Sequence, residues 1–123
     1  MRVLGVLRAV AVLHAVTVCL QPLLAGIYLN GSTAAARLHG PVGLTAAGLC
    51  ATQLTLAILW WRASGPGWPV VLSAAVLAGE ALMIHAGFGR ELALHLPIGM
   101  AVVAGSVSFA AWAARARRTA VAA

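Results

Sequence analysis

Two histidines occur in the same short motif in different parts of an almost uncharged chain. The stretches "LHGPVG" at 38–43 and "LHLPIG" at 94–99 share the pattern L-H-x-P-[V/I]-G, which holds His39 and His95. A neutral imidazole is a common metal ligand. A matched pair of imidazoles therefore indicates a site in which one metal ion is held from two sides.

The other positions that the two motif copies share predict how each imidazole is placed. We expect Pro41 and Pro97 in the first turn of a helix, where the missing N–H costs little and the fixed φ favours initiation. Each histidine would then lie at the positive end of a helix dipole, which favours neutral imidazole. Gly43 and Gly99 follow four residues after the histidines, on roughly the same helix face, and leave room for a flat ligand or a close helix.

The composition predicts that these motifs lie in a membrane. Of the 123 residues, 63% are apolar and 8% are charged, whereas about a quarter of a soluble domain is charged. A helix needs about 20 apolar residues to cross a bilayer, and four such runs occur at about 9–29, 40–60, 69–88 and 92–113. We predict one all-α transmembrane domain over residues 1–123, a polytopic four-helix bundle.

The first run exceeds the roughly 7 to 15 residues of a secretory signal core, which favours a retained span.

The arginines predict the orientation of the bundle. Short cytoplasmic loops collect basic residues, and one side of the predicted bundle holds Arg2, Arg8, Arg62, Arg115, Arg117 and Arg118. Only Arg37 and Arg90 fall on the other side. We therefore expect a multi-pass protein of a bacterial-type plasma (inner) membrane with both termini in the cytoplasm. Nucleic acid is not an expected partner, because the positive charge does not form a patch on a polar surface.

Aromatic residues support this orientation. Trp60, Trp61, Trp68 and Trp112 all fall at the predicted cytoplasmic boundary. Amphipathic rings prefer the headgroup layer.

The motif repeat divides the bundle into two helical hairpins that run the same way across the membrane, as parallel repeats. Spans two and four then start at the same outer depth and lie diagonally across the core. Two imidazoles in this arrangement can bind one b-type haem axially, as in a cytochrome b. Arg37 and Arg90 would pair with the haem propionates.

Two alternatives to this ligand assignment stay open. Each motif histidine can instead hydrogen-bond a neighbouring carbonyl, with the motif serving as a helix start. His85, near the outer end of span three, is a substitute ligand if one motif histidine is not used.

Four polar residues inside the spans form a second candidate site. Glu80 is the only acidic residue in a span, and a buried carboxylate in lipid is costly, so it must be protonated or paired. His14, Gln21 and Gln53 are its candidate partners. These residues either form interhelical hydrogen bonds or line a proton or quinone path, and His14 is also a candidate ligand at an inner site.

This polar site carries the alternative function, a cofactor-free membrane subunit or small transporter organised around Glu80. Cys19 and Cys50 fall near mid-bilayer, where free thiols act as small apolar residues, and a disulfide between them is an open alternative. No phosphate-binding loop, nucleophile elbow or zinc-ligand spacing occurs.

Three stretches resemble one half of the haem A synthase family: "LQPLLAGIYLNGS", "RLHGPVG" and "IHAGFGRELALHLPIG". In that family each half is a four-helix bundle with a haem-binding histidine near the outer start of its second and fourth helices. The resemblance assigns these roles to His39 and His95, and it implies electron transfer, haem handling or sensing with a redox protein, a quinone or a larger membrane complex.

The chain departs from the family in three respects. It holds one half instead of two, and its cysteines lie within spans instead of in an outer loop. Ala36 stands where the family has a glutamate associated with catalysis. The resemblance therefore implies haem binding and leaves oxidation of a haem methyl group in doubt.

Overall fold

Four long helices make up the computed structural model, which describes residues 2–116. They are α1 (Arg2–Leu29), α2 (Thr33–Arg62), α3 (Trp68–Phe88) and α4 (Leu92–Arg115). Each is long and apolar enough to cross a membrane. The predicted all-α four-helix fold is confirmed, while Arg117 and Arg118 lie outside the described residues.

The helices pack in a ring. α1 contacts α2 and α4, and α3 also contacts α2 and α4, so that α2 and α4 lie diagonally across the bundle. Residues 30–32 and 89–91 connect the helices at one end, which we call the hairpin end, and residues 63–67 connect them at the other, the tryptophan end. This is the arrangement that two parallel hairpins predict.

The start of α2 differs from the prediction. The Ser32 hydroxyl accepts a hydrogen bond from the Ala35 N–H at 3.3 Å and caps a helix that begins at Thr33. The alanines that follow favour helix, so α2 starts well before the motif, and Pro41 lies inside the helix instead of in its first turn. The prediction that the helix dipole acts on His39 is therefore wrong. Pro97 is likewise inside α4.

The tryptophan end is closed by an aromatic cluster. Trp112 stacks edge-on against Trp68 with ring centroids 4.3 Å apart and lies 5.5 Å from Trp60. Phe109 is fully buried beneath them and packs against Leu7. These contacts join all four helices at the end where the sequence predicts an interfacial belt.

The turn that ends α2 offers a stability test. Ser64 has φ 78°, a left-handed conformation that costs a residue with a Cβ about 1–2 kcal/mol. We expect Ser64→Gly to raise the thermal unfolding midpoint of the detergent-solubilised protein. Gly65→Ala is the contrasting variant, because its Cβ would lie 2.7 Å from Trp60 Cδ2 and 2.9 Å from the Trp60 carbonyl oxygen. Equal midpoints for both variants would contradict this account.

Candidate functional site

The two motif histidines face each other across the bundle. The ring centroids of His39 and His95 are 6.1 Å apart, and their planes are inclined by 51°. Two metal–nitrogen bonds of about 2 Å, together with the radii of two imidazole rings, separate the centroids of a bis-histidine site by about 6 Å. The pair is therefore spaced for one metal ion between the rings.

His95 forms the hydrogen bond to a neighbouring carbonyl that the alternative interpretation of the motif expects, and the same bond fixes the orientation of its ring. Its Nδ1 lies 2.8 Å from the Met83 carbonyl oxygen. Because a carbonyl only accepts, Nδ1 carries the proton and the other ring nitrogen, Nε2, keeps its lone pair. Metal-bound histidines commonly donate their second nitrogen in this way, which fixes the tautomer and the ring orientation.

Gly87 makes space for this imidazole. A Cβ at Gly87 would lie 3.0 Å from His95 Nδ1 and 3.1 Å from Cε1. A side chain at this position would require the ring to shift by a few tenths of an ångström, so the glycine favours the close approach of His95 to the Met83 carbonyl. Sequence reasoning missed both Met83 and Gly87, although Gly87 lies in the stretch "IHAGFG" that precedes the motif.

Gln21 holds His39 from α1. With its amide turned to satisfy its neighbours, the Gln21 nitrogen lies 3.0 Å from His39 Nδ1 and 3.3 Å from His39 Nε2, and the Gln21 oxygen accepts from the Gly43 N–H at 2.8 Å. Because the amide N–H donates, the ring nitrogen that accepts it carries no proton, and the other nitrogen of the neutral ring carries the proton. Binding of either His39 nitrogen to a metal therefore requires Gln21 to give up this hydrogen bond. The sequence offers Gln21 as a partner for Glu80, but its hydrogen bonds are to the first histidine motif. The two histidines are thus held by different groups, an amide side chain on one side and a backbone carbonyl on the other.

A cavity of about 400 Å³ adjoins the pair and is lined by both imidazoles, Gly43 and Gly99. Ligand cavities are commonly about 300–1,000 Å³ and largely apolar. Leu96 also lines it and is exposed, so the cavity reaches the surface of the bundle. A flat, mostly apolar ligand suits this shape.

Three further candidate residues lie outside this cavity. Arg37, in the first part of α2, and Arg90, in the α3–α4 connection with φ 58°, are exposed at the hairpin end. His85 is exposed on α3. Neither arginine forms an ion pair within residues 2–116, and the substitute ligand His85 is not brought to the pair.

A buried polar cluster of His14, Gln53, Ser73 and Glu80 joins α1, α2 and α3 near mid-bundle. His14 Nε2 lies 2.7 Å from Glu80 Oε1, and His14 Nδ1 lies 3.3 Å from Gln53 Oε1. The Gln53 amide donates to the Ser73 hydroxyl at 3.1 Å. Each side chain is at most 1% exposed. The sequence predicts a partner for Glu80, and His14 is brought to it directly, with Gln53 one step further.

The hydrogen-bond geometry of the cluster suits one proton between His14 and Glu80. The Gln53 amide group donates to Ser73, so its oxygen faces His14 and accepts from Nδ1–H. His14 Nε2 and Glu80 Oε1 then have a single proton between them, which gives either imidazolium with carboxylate or imidazole with carboxylic acid. The second carboxyl oxygen of Glu80 is buried and has no hydrogen-bond partner in the described chain, and Glu80 also lines the cavity beside the histidine pair.

Cys50 extends the cluster. Its thiol donates to the Ser73 carbonyl oxygen with a separation of 3.6 Å, and donor atoms of His14, Cys50 and Glu80 all lie within 4.8 Å of one another. All three are engaged in hydrogen bonds, so the arrangement is that of a hydrogen-bonded network. Cys19 and Cys50 are both free, which removes the disulfide alternative.

Two sites therefore share one bundle: an imidazole pair at the hairpin end and a proton-sharing cluster nearer the middle. Comparison with family models, characterised proteins and solved structures gives no match.

Proposed function

We propose that this small membrane protein binds one b-type haem between His39 and His95. The observation that carries the proposal is the 6.1 Å separation of the two imidazole centroids across the bundle axis. That separation suits one metal ion between the rings, and it also lies within the range of about 4.5–7 Å found for aromatic rings in direct contact.

Three features of the chain fit a haem. The proton on His95 Nδ1, fixed by the Met83 carbonyl, leaves the other nitrogen free to coordinate. The adjoining cavity is about 400 Å³ and mostly apolar in its lining, which suits a flat, mostly apolar macrocycle, while Gly43 and Gly99 pack closely against the side chains of Gln21 and Met83. The exposed arginines at the same end, Arg37 and Arg90, supply the positive charge that propionates require.

The chemistry follows from the ligand set. Haem b bound by two imidazoles supplies one-electron transfer. If His39 and His95 both bind the iron, the site would leave no position at the metal for a substrate, and Ala36 offers no acid or base. Electron transfer, haem handling or sensing is therefore favoured over oxidation of a substrate, with a redox protein, a quinone or a larger complex as partner in a bacterial-type plasma membrane.

An absorption spectrum tests the proposal. The protein, produced with ample haem and purified in detergent, should show a Soret band and the sharp visible bands of a reduced six-coordinate b-type haem. Absence of a Soret band would refute haem binding.

The second candidate is a small proton-coupled transporter with a polar site around Glu80. The unpartnered, buried carboxyl oxygen of Glu80 favours it, because that oxygen is available to a ligand in the cavity. This function predicts a pH-dependent flux into proteoliposomes that Glu80→Gln abolishes and that is independent of haem supply.

Gly87→Ala is expected to weaken haem binding without removing a ligand. The added methyl group would meet the His95 imidazole at about 3 Å and disturb its bond to the Met83 carbonyl. Loss of such supporting contacts typically costs about 10- to 100-fold in metal affinity. Haem titration of the apoprotein, followed at the Soret band, measures the change.

Gly48→Ala is the matched control, since a Cβ there meets nothing within 4 Å. It should bind haem as the wild type does. Equal affinities for Gly87→Ala and wild type would mean that the orientation of His95 does not depend on this close approach.

A further inference from the structure

The buried polar cluster and the histidine pair open onto the same cavity. Glu80 lines it together with His39 and His95. Along α3, Glu80 precedes Met83, which bonds His95, by three residues, a rise of about 4.5 Å. The carboxyl group is therefore close to the proposed haem without being one of its ligands.

The His14–Glu80 pair has two protonation states that the surroundings permit. With the shared proton present, the pair is neutral overall. Without it, His14 keeps its Nδ1 proton toward Gln53 and Glu80 is a carboxylate, so the pair carries one negative charge. His14 Nε2 and Glu80 Oε1 are then two acceptors 2.7 Å apart, so the two side chains must separate when the proton leaves. Within residues 2–116 the second oxygen of Glu80 has no hydrogen-bond partner, so positive charge nearby is what would favour the carboxylate.

We infer that the His14–Glu80 pair is a proton-binding site whose occupancy follows the charge at the haem iron. This inference rests on the proposed haem function. Charges interact far more strongly in a low-dielectric interior than in water. A ferric site carries one positive charge more than a ferrous site, so the ferric state favours the carboxylate and the ferrous state favours the protonated pair.

Reduction of a bound haem would take one electron from a one-electron donor, such as a soluble redox mediator. One proton from water is taken up, and an O–H bond forms at the Glu80 carboxylate or an N–H bond at His14 Nε2. Oxidation reverses both changes, and no other bond forms or breaks.

Few other titratable groups face the pair within residues 2–116. α2 contributes the Cys50 thiol and the His39 imidazole, and α4 contributes His95. The thiol donates to the Ser73 carbonyl, and the His95 ring donates to the Met83 carbonyl. The remaining acidic side chain, Glu91, is exposed at the hairpin end.

The haem midpoint potential measured against pH tests the inference. Spectroelectrochemistry of the haem-loaded protein should show a potential that falls as pH rises. One proton per electron makes a tenfold change in proton concentration worth about 59 mV. In Glu80→Gln the Soret band should remain and the slope should disappear, because the amide keeps a hydrogen bond to His14 but cannot ionise.

Glu91→Gln is the matched control, since it removes the same charge outside the cluster and should keep the wild-type slope. Infrared difference spectra between the two redox states should show a protonated carboxyl band that Glu80→Gln lacks. A pH-independent potential in the wild type, or an unchanged slope in Glu80→Gln, would overturn the inference. A protein with no Soret band would overturn the proposed function and this inference with it.

Discussion

Replacement of either His39 or His95 by alanine is expected to abolish the low-spin haem spectrum. In the proposed haem site each imidazole would supply one ligand to the iron from a different helix, so a single remaining histidine would leave the iron without its second protein ligand. The variant protein should bind haem much more weakly or emerge from purification colourless. Optical spectra of equal protein concentrations, with haem quantified against protein, measure the effect.

His85→Ala is the matched control for these two variants. His85 is exposed on α3 and does not border the cavity, so its loss should leave the spectrum intact. Circular dichroism and size-exclusion profiles should match for all three proteins, which separates loss of a ligand from loss of fold. Loss of haem in His85→Ala alone would reassign the ligand to that residue.

The fold follows from the sequence because apolar length alone decides which segments cross a membrane. The helix ends cannot be predicted in this way, because hydropathy identifies only the part of a helix that lies in lipid and helices continue beyond that part. α2 begins at Thr33, where Ser32 caps it, and not at the predicted start near residue 40. The prediction that Pro41 and Pro97 lie in the first turn of a helix is wrong because both helices begin earlier. A proline within a membrane helix is tolerated where neighbouring groups satisfy the freed carbonyl.

The approach of the histidines follows from the motif repeat, since two parallel hairpins place their second helices at equal depth on a diagonal. The groups that orient the histidines cannot be predicted from the repeat. The Met83 carbonyl is backbone and leaves no mark in residue type, and a glycine such as Gly87 has many uses in an apolar helix. Met83 and Gly87 contact His95 because of the way α3 is rotated about its axis, and the sequence does not specify that rotation.

Gln21 illustrates a second limit of sequence reasoning. It follows His14 by seven residues on the same face of α1, but seven residues also separate the two by about 10 Å along the helix. Because of this distance, His14 lies in the buried polar cluster while Gln21, on the same face, lies beside His39. Ser73 and Cys50, which complete the cluster, carry no signal beyond being small residues in apolar helices.

His14→Ala is expected to destabilise the bundle strongly. The variant leaves Glu80 buried at 1% exposure without the hydrogen-bond partner that it has within residues 2–116, His14. Removal of one partner from a buried pair typically costs about 3–5 kcal/mol. Glu80→Gln should cost less, because its amide can still bond to His14. The free energy of unfolding in mixed micelles, or the thermal midpoint in detergent, measures both.

A double variant separates the lost partner from the lost volume. The double variant that combines His14→Leu and Glu80→Leu removes both polar groups. Replacement of a buried pair by apolar side chains is often neutral or stabilising. The double variant should therefore be more stable than His14→Ala. Equal destabilisation in the two would mean that packing around His14, and not the unpaired Glu80 carboxyl, sets the cost. A double variant that is more stable than the wild type and keeps its Soret band would show that neither the stability of the fold nor haem binding requires the cluster.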